Sequence, residues 1–114
     1  MKKLITLLAC GVVSINAFGA GNVASGEALA KKYSCAACHG ADYNKPIDPS
    51  YPKLAGQYAD YLAHALVAYK RGDGPNGRNN AIMTGQVKPL SDKDIVDIAA
   101  YLGSLPAGVT VGRR

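Results

Sequence analysis

Cys35-Ala36-Ala37-Cys38-His39 is the stretch on which the reading of this chain turns. Its two thiols stand three residues apart, so on a helical turn they share a side. A histidine follows the second thiol directly. That spacing lets both cysteines add to the two vinyl groups of a haem, and the same turn puts His39 under the iron as an axial ligand. C-x-x-C-H is the sequence mark of covalent c-type haem attachment. Rival chemistries ask for residues the chain lacks. A structural zinc site needs four ligands, usually two such cysteine pairs. After residue 38 there is no further cysteine, and His64 is the only other histidine. A thioredoxin-like pair needs a βαβ surround, and no alternating apolar strands occur.

Outward from this stretch, the N-terminus has the pattern of an export signal. Lys2 and Lys3 precede a mostly apolar run from Leu4 to Ala17, and Ala17-Phe18-Gly19 supplies small residues at the −3 and −1 positions. Residues 1–19 are therefore expected to be a cleaved signal peptide. The run is shorter than the ~20 apolar residues a membrane span needs. Leu7-Leu8-Ala9-Cys10 resembles a lipoprotein processing box. Processing there would leave only nine residues before the cysteine and most of the apolar run unused. Cys10 is expected to leave with the signal, not to carry a lipid anchor. Export suits the chemistry, because c-type haem is attached on the periplasmic side. The two haem cysteines then stand alone, and no disulfide framework is implied.

Residues 20–114 are of a length for one domain. A chain of that size buries a modest core of its own. A large apolar macrocycle would supply much of it, so the apo chain is expected to fold poorly. The formal charge of +5 falls once Lys2 and Lys3 are removed, leaving 11 basic against 8 acidic side chains. Two ionised haem propionates would bring the balance close to neutral. There is no basic stripe and no interleaving of aromatics, so nucleic acid is not an expected partner.

Helical signals punctuate the rest. Ser25 is a candidate N-cap for a short helix through Lys32, with Ala24, Ala28, Leu29 and Ala30 as a small-residue face. Residues 40–53 carry Gly40, Pro46, Pro49 and Pro52 and read as a loop. From Ala55 or Gln57 to Arg71 the pattern is helical, with Tyr58, Tyr61, Leu62, Ala65, Leu66 and Tyr69 on one face. His64 points about 140° away from that stripe and reads as a surface residue. Residues 72–80 are strongly helix-breaking, and Ala81 to Gly85 continue without a helical pattern. The last helix starts at Ser91, with Asp92 and Asp94 in its first turn and a capping-box-like spacing. Ile95, Ile98, Ala99 and Leu102 form its buried face, and Gly103 and Pro106 end it.

Once the signal is gone Met83 is the only methionine. It sits in a stretch expected to be irregular, 44 residues after His39, which is enough chain to cross from one haem face to the other. It is the only other soft ligand, so it is the expected second axial ligand. A thioether prefers ferrous iron and raises the reduction potential. With both axial positions filled by protein, the natural use of such iron is to move one electron at a time.

These residues resemble a class I cytochrome c of the small bacterial periplasmic kind. The resemblance is carried by Cys-Ala-Ala-Cys-His-Gly at 35–40, Tyr-Pro-Lys-Leu-Ala-Gly-Gln at 51–57, Met83 in its loop, and Leu-Ser-Asp-Lys-Asp-Ile with Ala-Ala-Tyr-Leu near the end. It implies an all-α fold, three to five short helices wrapped around one covalently bound haem c. It also implies a close crossing of the first and last helices, with Gly26 against Ile98 and Tyr101. Pro52 would offer its carbonyl to the proximal histidine, and Leu54 would pack on the haem. The cofactor-binding residues are then Cys35, Cys38, Pro52 and Leu54, and the iron ligands are His39 and Met83.

The function implied is a periplasmic one-electron carrier, not an enzyme. Its partners would be redox-protein donors and acceptors, with transient contact to membrane-bound redox complexes. Lys45, Lys53, Lys70 and Lys88 are candidate rim contacts. Two alternatives stand beside it: the haem c subunit of a larger periplasmic dehydrogenase, and a gas-binding or peroxidatic haem protein. Two features depart from the family's usual look, the long glycine-rich loop from Gly72 to Asn80 and a single domain where many relatives carry two.

Overall fold

The last helix holds the fold together. It was expected from Ser91 onward, and the computed structural model, which describes residues 21–108, places it there. Five helices follow one another: α1 (Val23–Lys32), α2 (Cys35–His39), α3 (Ala59–Arg71), α4 (Ala81–Val87) and α5 (Asp92–Ser104). Residues 1–19, expected to be a signal peptide and including Cys10, and the arginines at 113 and 114 lie outside the described residues. Among those described the architecture is all-helical, without strands, as expected.

α5 begins with a complete capping box. Asp94 N–H donates to Ser91 Oγ at 3.1 Å, and Ser91 N–H donates to Asp94 Oδ2 at 3.0 Å. Ile95, Ile98, Ala99 and Leu102 recur at helical spacing, and each is at most 3% exposed. α1 and α3 pack on this stripe. The helix continues through Gly103 and ends at Ser104, one residue past the expected stop. Gly103 is small for a packing reason: a Cβ there would stand 2.9 Å from the Gln57 carbonyl oxygen.

α1 starts earlier than expected. Its N-cap is Asn22, not Ser25; Asn22 Oδ1 accepts from Ser25 N–H at 2.9 Å. Both residue types are good caps. A distant contact selects between them, because the Asn22 N–H donates to buried Asp97 Oδ1 at 2.8 Å, 75 residues along the chain. Gly26 is the crossing point, though its neighbour differs in part from expectation. A Cβ on Gly26 would run into the Asp97 carbonyl and come within 2.8 Å of Tyr101 Cβ. The contact is therefore with Asp97 and Tyr101, and Ile98 turns inward to the core instead.

The segment between α2 and α3 has no helix, as expected, but it is tightly pinned. Ile47 N–H donates to the Cys38 carbonyl at 3.0 Å, and Leu54 N–H to the Tyr43 carbonyl at 2.9 Å. Buried Tyr43 meets Tyr101 edge to face, with ring centroids 6.1 Å apart. α3 starts at Ala59, later than expected, because residues 54–57 are laid against α5. Gly56, at φ +74°, donates its N–H to the Leu102 carbonyl at 3.0 Å. Of the expected α3 face, Leu62 is buried and Leu66 and Tyr69 pack on the core. Tyr58 lies outside the helix and is 85% exposed, and Tyr61 is 52% exposed.

α4 was not expected. Residues 81–85 contain Thr84 and Gly85, which argue against a helix on propensity. The turn forms because Asn80 Oδ1 caps Met83 N–H at 3.0 Å, Thr84 Oγ1 donates to the Tyr69 carbonyl at 3.1 Å, and Val87 is 1% exposed. Tertiary packing thus overrides local preference.

Candidate functional site

α2 is a five-residue turn. Ser34 enters it in the left-handed region at φ 55°, and Gly40 leaves it at φ +94°. A Cβ on Gly40 would run into the Lys45 carbonyl, so only glycine lets the chain fold back there. Cys35 and Cys38 are half-buried free thiols on this turn. Burial, with Cys38 beside it, pushes the Cys35 thiol up from its ordinary value.

His39 is 7% exposed, and its Nδ1 lies 2.9 Å from the Pro52 carbonyl oxygen. A carbonyl can only accept, so Nδ1 carries the proton and donates. The lone pair is then left on Nε2, the state a metal-ligating imidazole requires. Tyr51 tilts against the same ring, with centroids 6.3 Å apart.

Both thiols and His39 line a crevice whose walls are Leu54, Leu66, Val87, Leu90, Ile98 and Leu102. Met83, half-buried on α4, lines the same crevice. Two adjoining cavities are each bounded by both His39 and Met83. Two thiols on one turn, an imidazole with a free lone pair, a thioether and apolar walls between them suit a flat apolar macrocycle with a central metal. Haem has that shape and those attachment points.

The expected residues separate in space. Cys35, Cys38, His39, Leu54 and Met83 meet around the crevice, while Pro52 bounds its two side cavities and reaches it through the His39 hydrogen bond. His64 is exposed and lines none of these three cavities. Among the candidate rim lysines, Lys53 lines one of the adjoining cavities, whereas Lys70 donates to the Leu90 carbonyl and is committed to the fold. Arg78 was missed. It lines that same adjoining cavity with Lys53 and Gln57, its guanidinium lying 5.8 Å from the Tyr61 ring centroid and 5.5 Å from that of Tyr69. Its one signal in the sequence is a lone long cation inside the small-residue loop, five positions before Met83.

The family model described as cytochrome c matches residues 23–106. Cytochrome c4 of Stutzerimonas stutzeri is 42% identical over 113 residues, covering 95% of this chain and 52% of that protein. Cytochrome c-554(548) of Halomonas halodenitrificans is 47% identical over 85 residues, covering 75% of this chain and 98% of that one. The crystal structure of reduced recombinant cytochrome c4 from Pseudomonas stutzeri superposes with a TM-score of 0.66 at 43% identity, over 79% of this chain and 48% of the other. The chain thus spans about half the length of the cytochrome c4 relatives it matches.

Proposed function

We propose that this chain, which belongs to the cytochrome c family, works in the periplasm as a one-electron carrier between redox proteins. Its fold is of the class I cytochrome c kind, and as a c-type cytochrome it binds haem c covalently. When bound, the haem supplies an iron that exchanges a single electron between ferric and ferrous states.

The chain's residues have distinct tasks in this reading. Cys35 and Cys38 hold the macrocycle as thioethers. His39 presents Nε2 to the iron while Nδ1–H stays on the Pro52 carbonyl. Met83 brings a soft sulfur, which favours the ferrous state and raises the potential. Leu54, Leu66, Ile98 and Leu102 exclude water from the crevice. Lys53, on the adjoining cavity, would offset the charge of the haem carboxylates. Ile82, 54% exposed beside Met83, and Tyr51 offer an uncharged rim for brief docking. Residues 1–19 direct export, and 20–114 form the haem domain. No helix among the described residues is long and apolar enough to cross a membrane.

One observation carries the reading. The imidazole fixed by Pro52 and the thioether of Met83, on separate elements, line the same crevice as the thiol pair. His39 and Met83 are the residues that would hold the iron, and with both engaged the chemistry supplied would be electron transfer and not binding of substrate. The test is potentiometry on the purified protein, with carbon monoxide added to the reduced form. A reversible one-electron couple and no binding at neutral pH are expected. Rapid carbon monoxide binding would overturn the carrier reading in favour of a ligand-binding haem protein.

A further inference from the structure

We propose that the concavity on the outer side of α3, walled by His64, Arg71, Asn76 and Arg78, binds a small free oxyanion such as phosphate, and that its occupancy is linked to the redox state of the haem through Arg78. The linkage rests on the haem reading above.

The titratable lining of the concavity is His64, Arg71, Arg78 and Tyr61, with no carboxylate. Asp60 and Asp73 are near in sequence but line neither this concavity nor the crevice. Among the described residues the ion pairs are Lys31–Glu27 and Lys93–Asp97, so neither arginine is neutralised by an acidic neighbour. Guanidinium groups present paired N–H donors that match an oxyanion, and Asn76 adds a neutral donor.

The loop is built to bring these groups together. A Cβ on Gly77 would run into the Gly72 carbonyl, so the glycine-rich turn closes tightly enough to return Asn76 and Arg78 to the last turn of α3 beside Arg71. The Arg78 N–H donates to the Ala68 carbonyl at 2.9 Å, and Gly72 N–H to the same oxygen at 3.2 Å. That helix-end carbonyl is thereby occupied and opposes an anion less. A hydrogen bond from Arg78 Nη2 to the Tyr61 hydroxyl at 3.4 Å, with the Tyr61 and Tyr69 ring centroids 5.8 and 5.5 Å from the guanidinium, holds it in place, and a guanidinium has more N–H donors than these contacts use.

Tyr61, Ala65 and Arg78 line both this concavity and the inner cavity that His39 and Met83 bound. One cation therefore faces an anion on one side and the haem on the other. An anion on Arg78 offsets its charge and favours ferric over ferrous iron, so the potential falls. By reciprocity the ferric protein binds the anion more tightly than the ferrous one.

The test is a spectroelectrochemical titration of the holoprotein at constant ionic strength, with sodium phosphate replacing sodium chloride. The midpoint potential should fall along a saturating curve. Arg71→Gln leaves the crevice lining intact; it should start near the wild-type potential and lose the saturable fall. NMR of the reduced holoprotein should show the His64 ring resonances moving with phosphate in the wild type and not in Arg71→Gln. A non-saturating change, or one equal in both proteins, would mean ionic screening alone and overturn the site. Movement of His64 with no change in potential would overturn the linkage. A purified chain with no haem spectrum would overturn the functional reading and the linkage with it, a failure visible before any phosphate is added.

Discussion

His39 Nδ1 and the Pro52 carbonyl oxygen stand 2.9 Å apart, joined across a loop that is itself pinned to Cys38 and Tyr43. The imidazole is thus oriented by backbone, and the proline ring fixes φ on the acceptor's own residue. Pro52→Ala keeps the carbonyl but frees that dihedral. Stability should fall by about 0.4–1 kcal/mol, chiefly through the unfolded chain. The hydrogen bond should loosen and the imidazole become less basic, so the reduction potential should rise modestly. Potentiometry with urea unfolding checks both; an unchanged potential would mean that the neighbouring hydrogen bonds alone hold the acceptor.

Met83→Ala removes the proposed sulfur ligand from a half-buried position on α4. The iron should open, the potential should drop, and the reduced protein should bind carbon monoxide. The cap on α4 uses Asn80 and the backbone N–H of residue 83, so the helix should survive the change. An unaltered visible spectrum and potential would show that Met83 is not the ligand.

Gly26 has no room for a side chain. Gly26→Ala would drive a Cβ into the Asp97 carbonyl at the α1–α5 crossing. Backbone cannot swing aside as a flexible side chain can, so the two helices must separate. A loss of about 1–3 kcal/mol is expected, or roughly 4–8 °C in Tm for each kcal/mol in a domain of this size. Thermal unfolding of the holoprotein measures it. An unshifted Tm would mean that the crossing is looser than this geometry.

Asp97 makes the stability pH-dependent. Its carboxylate accepts from Lys93 Nζ at 2.6 Å and from the Asn22 N–H at 2.8 Å, and these bonds, Lys93 first, hold its pKa below the usual carboxylate range. A depressed folded-state pKa adds stability that is present above the unfolded value near 3.9 and is lost as pH falls through the folded value. Asp97→Asn should cost about 1–3 kcal/mol at neutral pH and much less in acid. Urea unfolding at pH 7 and near pH 3 reads the difference. Equal losses at both would place the effect in packing instead of charge.

Some of this protein could be read from the chain alone, because the controlling interactions are local. The C-x-x-C-H turn needs only the spacing of five residues. The α5 capping box needs only Ser91 and Asp94, and its buried stripe needs only helical period. Those features decide that the fold is helical and that the cofactor is a haem. Other features depend on partners far along the chain. Asn22 caps α1 instead of Ser25 because Asp97 is waiting for its N–H. Residues 81–87 become a helix despite Thr84 and Gly85 because Tyr69 and the core receive them. Gly103 reads as a helix stop but is a close-packing residue against Gln57. Arg78 comes to line the cavity beside the crevice only when the loop from Gly72 closes. Hydrogen bonds and side-chain spacing within one turn are written in neighbouring residues. Burial and long-range pairing exist only after the helices have met, and the chain must be folded before they can choose between equally good local alternatives.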